Sequence, residues 1–359
     1  MKLRIADRLV GDEEQCFIIA EAGVNHNGDV DLAKRLVKAA RDAGADAVKF
    51  QTWITEEVMV RTLEKPEYQK QRMSGQETQF DMAKKLQLTF DETRELADYA
   101  KGIGIVFLST PEGKRCTDLL QELSVPAFKI GSSDMNNYPH LRYVAKKGKP
   151  IILSTGMATM CQVEDSVNVI RNSGNHQIVL LHCTTSYPTR LPEVNLNAMI
   201  TMRKLGLPVG YSDHTQGLAV SLVAASLGAC VLEKHFTLDR ALPGPDHRAS
   251  LEPLELKEMV DRIHSGRSQL EVEDELLQTI MGDGEKKPAK SEIQIERFIR
   301  KYIVADVDIE RGTVIEEEML GVKRTGGRGL NPVQFYDVVG KSARQHIGKD
   351  EPLEWEMLE

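Results

Sequence analysis

Short apolar runs recur along the first two thirds of the chain, each closing on polar residues. They are Phe17–Gly23, Ala47–Trp53, Ile105–Pro111, Ala127–Asp134, Ile151–Gly156, Ile178–Pro188, Val209–Thr215 and Val231–Thr237. Near-continuous apolar runs of this length predict strands buried on both faces. Helical spacing separates them. Ala33, Leu36, Val37 and Ala40 share one face of a predicted helix, with Gly44 as a stop signal. Thr89 and Glu92 have capping-box spacing, and Leu256, Met259, Val260 and Ile263 repeat the helical pattern. Strand–helix alternation repeated eight times predicts an α/β fold, a (β/α)8 TIM barrel, with a doubly wound open sheet as the alternative. The polar stretch from Ile54 to Leu88, with Pro66, Tyr68 and Gln76, reads as an extended loop on the functional face.

The texture changes after the last helix. Gly282-Asp283-Gly284-Glu285-Lys286-Lys287-Pro288 has linker composition, and short strands follow at Tyr302–Ala305 and Gly321–Arg324 around an Arg311-Gly312 turn. The expected organisation is a barrel over 1–281, a linker over 282–296 and a small, mostly β domain over 297–359. The length of 359 residues accommodates both, since a barrel takes roughly 250. Composition is that of a globular chain, 41% hydrophobic and 28% charged. A formal net charge of -8 without a basic block argues against nucleic acid as a partner. Five scattered cysteines without a Cys-x-x-Cys pair support neither a zinc knuckle nor a disulfide framework. No apolar run is long enough for a membrane span, and no signal-peptide pattern opens the chain. The expected setting is therefore cytoplasmic.

Barrels of this kind build their sites at the C-terminal ends of the strands. The polar residues there include Glu21, Lys49, Gln51, Thr110, Lys129, Ser132, Asp134, Ser154, Thr185, Tyr187, Ser212, His214, Glu233 and His235. Strand alternation puts Lys49 with Gln51, Ser212 with His214, and Glu233 with His235 on shared faces. His214 and His235, on successive strand ends, suit either one hydrated divalent ion or two rim hydrogen bonds. Lys49 and Lys129 interrupt apolar patterns, which demands partners. They fit a cationic floor for an anion, flanked by serine hydroxyls, or buried ion pairs with Glu21 or Glu233. A Schiff-base aldolase is a rival use of either lysine. The glycine-rich Gly326-Gly327-Arg328-Gly329 follows no strand–helix P-loop arrangement, so nucleotide binding is not supported.

Taken in order, these motifs resemble the sialic acid synthase family, the phosphoenolpyruvate-dependent N-acylneuraminate synthases. The resemblance is carried by Ile18-Ile19-Ala20-Glu21-Ala22-Gly23-Val24-Asn25-His26-Asn27-Gly28, Val48-Lys49-Phe50-Gln51 and Phe128-Lys129-Ile130-Gly131-Ser132. It continues through Leu153-Ser154-Thr155-Gly156-Met157, Gly210-Tyr211-Ser212-Asp213-His214-Thr215, Leu232-Glu233-Lys234-His235-Phe236-Thr237 and Gly244-Pro245-Asp246-His247. The C-terminal residues resemble the family's antifreeze-like (SAF) domain. The resemblance implies condensation of phosphoenolpyruvate with open-chain N-acetylmannosamine, giving N-acetylneuraminate and phosphate. A legionaminic acid synthase using 2,4-diacetamido-2,4,6-trideoxymannose is the alternative; the Pro66-Glu67-Tyr68-Gln69 stretch is similar to those enzymes. It further implies a divalent metal ion, Mn2+ or Mg2+, on His214 and His235. Phosphoenolpyruvate would lie on Lys49, Lys129, Ser132, Ser154, Thr185 and Ser212. The sugar would lie on Gln51, Asp134, Tyr187, Asp246 and Arg324. Glu21 and Glu233 would be catalytic, and Arg324 would come from the partner of a domain-swapped homodimer.

Overall fold

A computed structural model describes residues 1–61, 63, 78–266 and 273–359. Pro66, Tyr68, Gln69 and Gln76 lie outside the described residues. Two strands not anticipated from the sequence come first, β1 (Lys2–Ile5) and β2 (Arg8–Gly11), an antiparallel hairpin. Eight parallel strands follow: β3 (Phe17–Gly23), β4 (Ala47–Thr52), β5 (Val106–Pro111), β6 (Phe128–Ile130), β7 (Ile151–Ser154), β8 (Ile178–His182), β9 (Val209–Asp213) and β10 (Val231–His235). Their order in the sheet is β5-β4-β3-β10-β9-β8-β7-β6, and β5 and β6 lie against one another. The sheet is therefore rolled into the (β/α)8 barrel rather than left open.

Alternation along the strands sorts the core into two layers. Phe17, Ile19, Ala47, Leu108, Ala127, Ile152, Val179, Leu181 and Val231 fill the lower barrel interior. Leu3, Ile5 and Val10 of the hairpin pack into the same cluster and close the bottom. Their neighbours Ile18, Val48, Phe50, Phe107, Phe128, Leu153, Leu180 and Leu232 point outward to the helices. The helix Val30–Asp42 buries Ala33, Leu36, Val37 and Ala40, and the helix Phe90–Ile103 starts with the Thr89–Glu92 capping box, both as the spacing predicts. Upward from the apolar plug, the same inward-facing columns reach Glu21, Lys49, Thr110, Lys129, Ser154, Ser212, Glu233 and His235. The alternation that packs the core thus also aims the polar groups.

The small C-terminal domain has its own core of Ile303, Ala305, Ile309, Ile315, Leu320, Phe335, Val338, Ile347 and Leu353. Its sheet pairs β11 (Tyr302–Ala305) with β12 (Leu320–Lys323), antiparallel, and isolated bridges tie in the following loops. Residues 282–296, read as a linker, fold in their second half into the helix Lys290–Ile299, which is seated on the barrel rim. The domain docks on its own barrel. Arg324 N donates to Val58 O at 2.8 Å and Val60 N to Arg324 O at 3.1 Å. Arg300, buried at the junction, donates to Ser132 O at 2.8 Å and to Met157 O at 2.5 Å.

A second junction is made of charges. Lys301 Nζ lies 2.7 Å from Asp134 Oδ2 and 2.9 Å from Glu112 Oε2, all three being buried. Burial would raise the Asp134 carboxyl, but Lys301, with help from His140 and Asn137, outweighs it and holds the group at about 2, below its ordinary 3.8. A carboxyl depressed on folding adds stability that is present above its unfolded pKa and lost as pH falls through the folded one. The thermal midpoint should therefore drop between pH 4 and pH 2, the window spanned by 3.8 and about 2. Asp134→Asn should be less stable near neutrality and show a flatter dependence in that window. A scan in which the variant keeps the full wild-type drop would refute the attribution.

Candidate active site

Lateral register sets the centre of the site. In β10, β3 and β4, His235 pairs with Glu21 and Glu21 with Lys49, while Glu233 pairs with Ser212 of β9. Lys49 Nζ sits 2.7 Å from Glu21 Oε2 and 3.6 Å from Glu233 Oε2, and donates to Thr110 Oγ1 at 3.1 Å. Lys129 Nζ is 3.6 Å from Glu233 Oε1 and donates to Ser154 Oγ at 2.8 Å. Gln51 Nε2 donates to Glu21 Oε1 at 3.3 Å, and Ser212 Oγ to Glu233 Oε1 at 2.8 Å. The two buried lysines are thus ion-paired and also line a common cavity of about 240 Å³.

The two carboxylates differ in electrostatic surroundings. Burial dominates at Glu21 and, with the nearby Glu233 charge, lifts its carboxyl to about 7 despite Lys49. Burial also opposes ionisation of Glu233, but Lys129, Lys49 and the Ser212 hydroxyl overcome it and hold that group at about 2. Two acids pushed apart in this way are equipped for different tasks, one to exchange protons and one to stay charged. Burial would lower Lys49, yet Glu21 and Glu233 together raise it, so its ammonium stays protonated.

His214 and His235 meet at the far side of the cavity, ring centroids 5.6 Å apart, with the Tyr187 ring 4.1 Å from His214 and 5.5 Å from His235. His214 Nδ1 is 2.7 Å from Thr184 O, a contact that requires the proton on Nδ1 and leaves Nε2 unprotonated, 3.3 Å from Ser212 Oγ. His235 Nδ1 is buried without a hydrogen bond among the described residues and lies 3.8 Å from Asp246 Oδ2. Burial lowers both imidazoles, His214 to about 4, so both are neutral. Two neutral nitrogens beside a carboxylate suit a divalent cation. No group of three or more His, Cys, Asp or Glu side chains converges among the described residues. Such an ion would share its coordination with water or substrate.

Ser132, Thr185, Tyr187, Asp246 and Arg324 also line the cavity. Ser132 Oγ accepts from Gly156 N at 2.9 Å, and a Cβ at Gly156 would stand 2.0 Å from Thr185 Oγ1, so only glycine fits between these rims. Asp134, expected on the sugar, does not line the cavity. Its oxygens are taken by Asn137 Nδ2 and Lys301 Nζ, both at 2.7 Å. Arg324, also expected on the sugar, lines the cavity. Buried charges around the site that the sequence reading missed include Glu112, Lys301 and Glu292. Glu112 lines the cavity one residue past the β5 run, Lys301 sits behind it, and Glu292 lies under the rim. Reading one position beyond each strand would have found Glu112; the other two sit in segments that look like connectors.

The site stands within a recognisable group of proteins. Residues 36–274 match the model of the NeuB family and residues 300–359 that of the SAF domain. An N,N'-diacetyllegionaminic acid synthase of Campylobacter jejuni is 44% identical over 94% of this chain and 98% of its own length. One from Legionella pneumophila is 42% identical over 97% and 96%. The solved structure of the spore coat polysaccharide biosynthesis protein SpsE of Bacillus subtilis superposes with a TM-score of 0.84 at 33% identity, covering 100% of this chain and 99% of its own.

Proposed function

This chain belongs to the NeuB family, and from that premise we propose that it condenses phosphoenolpyruvate with an open-chain N-acylated mannosamine-type sugar. The products are a nine-carbon 2-keto sugar acid and phosphate. The observation that carries this reading is the cavity floor, where Lys49 and Lys129 alternate with Glu21 and Glu233 beside serine hydroxyls. Such a floor can hold a small polyanion and still provide a proton carrier.

Lys49 and Lys129 counter the phosphate and carboxylate charges of phosphoenolpyruvate, and Ser132, Ser154, Thr185 and Ser212 donate to their oxygens. Attack of the methylene carbon on the sugar aldehyde turns its oxygen into a hydroxyl, which needs a proton. Glu21, lifted to about 7, supplies it. Positive character then develops at the middle carbon of phosphoenolpyruvate. Glu233, held ionised, stabilises it electrostatically. Glu21, now a carboxylate, takes a proton from the water that adds to that carbon. Collapse of the resulting tetrahedral centre turns its hydroxyl into the ketone, breaks the carbon–oxygen bond and releases phosphate, which carries away the hydroxyl proton. Gln51, Tyr187 and Asp246 orient the sugar. His214 and His235 would hold Mn2+ or Mg2+, which supplies Lewis-acid polarisation of the aldehyde. A Schiff-base role suits Lys49 poorly, because its paired ammonium is not a nucleophile.

Between N-acetylmannosamine and 2,4-diacetamido-2,4,6-trideoxymannose, we favour the second. Val24, Trp53, Val58, Met59, Met82 and Leu86 form an apolar cavity wall, which suits a deoxy methyl and a second acetyl methyl better than free hydroxyls. The two synthases of highest identity described above act in the same sense. The test is phosphate release from phosphoenolpyruvate with each sugar in parallel. The diacetamido sugar should give the higher kcat/KM, and chelation should stop turnover until Mn2+ is restored. Equal or better use of N-acetylmannosamine would reverse the choice of acceptor.

A further inference from the structure

We propose that Asp213 and Lys234 form a positioning clamp for the cation site, fixing the spacing of His214 and His235 from the outer face of the barrel. The proposal rests on the reading above that these two histidines hold a divalent ion. It extends that reading to residues that do not line the cavity.

Asp213 closes β9 and precedes His214; Lys234 precedes His235, the last residue of β10. The two are register partners across the adjacent strands. Alternation sends their side chains outward, away from Ser212, Glu233 and His235. Outward positions elsewhere in the barrel carry apolar residues, among them Val48, Phe107, Phe128, Leu153 and Leu180. Here an ion pair takes their place. Lys234 Nζ lies 2.8 Å from Asp213 Oδ2, and both side chains are wholly buried. A buried ion pair gains little over an apolar pair of similar volume, because desolvation offsets the attraction. Its directional bonds are what an apolar pair cannot supply.

Those bonds bracket His214. Asp213 Oδ1 accepts from Thr215 N and from Thr215 Oγ1, both at 2.8 Å. Lys234 Nζ donates to Thr215 O at 2.6 Å. Both chain neighbours of His214 are thus joined to the residue before His235. Ser221 Oγ donates to Asp213 Oδ2 and anchors the cluster to the helix Ala219–Ser226. The strand ends cannot slip or splay without breaking these buried bonds, and a one-residue slip would turn each imidazole to the opposite face. The separation of 5.6 Å between the ring centroids is set in this way. The Thr184 carbonyl orients the His214 ring, and the clamp decides where that ring stands relative to His235. Ligands already held at a fixed separation bind a cation without the entropic cost of ordering two strand ends.

The experiment titrates the full-length protein with Mn2+ alone and reads the free ion by electron paramagnetic resonance, with the thermal midpoint measured alongside. The wild-type protein should bind Mn2+ in stoichiometric amount, and His214→Ala should abolish that binding. Asp213→Asn combined with Lys234→Met removes the ion pair without stranding a charge, and the asparagine oxygen can still accept from Thr215. This double variant should weaken Mn2+ binding about 10- to 100-fold, the range for losing an outer partner that orients metal ligands. Leu141→Ala truncates a buried side chain in the helix Tyr138–Ala145, after β6 on the other side of the barrel. It should lower the thermal midpoint and leave Mn2+ affinity unchanged. Should the double variant not fold, Thr215→Val, which keeps the ion pair, should still weaken Mn2+ by about twofold or more, the lower end for one hydrogen bond. Wild-type affinity in a folded clamp variant would overturn this proposal alone, as would an equal loss in Leu141→Ala. Mn2+ binding that survives His214→Ala, or none by the wild-type protein, would overturn the metal reading and this proposal with it.

Discussion

Glu21→Gln should lower kcat for condensation by about 10²- to 10⁴-fold, the range associated with loss of a positioned proton carrier. Glutamine preserves volume and can still face Lys49 Nζ, 2.7 Å from the present carboxylate, so the pocket should stay assembled. What it cannot do is release and regain a proton. Glu233 is no substitute, since it is held at about 2 by Lys129 and Lys49 and is too weak a base. The KM for phosphoenolpyruvate should change little, because the positive charge facing Glu21 is retained. Pre-steady-state phosphate release locates the loss in the chemical step. A kcat within a few-fold of wild type would remove Glu21 from proton transfer.

Glu292→Ala should destabilise the protein by about 2–6 kcal/mol, counting about 1–3 for each of two buried donors left unsatisfied. Glu292 Oε1 accepts from Met157 N at 2.8 Å and from Thr185 N at 2.6 Å, in the loops after β7 and β8. Its second oxygen accepts from Ala289 N at 2.7 Å at the start of its own helix. One carboxylate therefore holds two strand-end loops in place from a segment more than 100 residues later in the chain. Because Thr185 lines the cavity beside the proposed phosphoenolpyruvate site, the KM for phosphoenolpyruvate should rise as well. Urea unfolding followed by far-UV circular dichroism reads the first effect and steady-state kinetics the second. A loss of under about 1 kcal/mol would show that water replaces the carboxylate at the loop amides.

Much of the barrel was legible because its strands obey a local rule. Buried parallel strands read as apolar runs, and their polar C-terminal residues mark the functional face. Glu21, Lys49, Lys129, Ser154, Ser212, Glu233 and His235 were each found in this way, and the structure brings them into one cavity. The β1–β2 hairpin was not legible, since four-residue strands with charged outer positions have too short a pattern to stand out. The helix Lys290–Ile299 was hidden by the glycine, proline and charge of the segment before it.

The sequence by itself determined the kind of chemistry available: lysines, carboxylates, histidines and hydroxyls at the polar ends of strands whose period of two aims them inward. Partner choice among those charges was decided only in three dimensions. Lys49 chose Glu21, and Asp134 chose Lys301. Arg324 came to the cavity beside Glu112. These pairings join residues up to 212 positions apart. Side-chain direction follows from the local backbone, whereas a buried charge takes whichever counter-charge the packing of distant segments brings within reach.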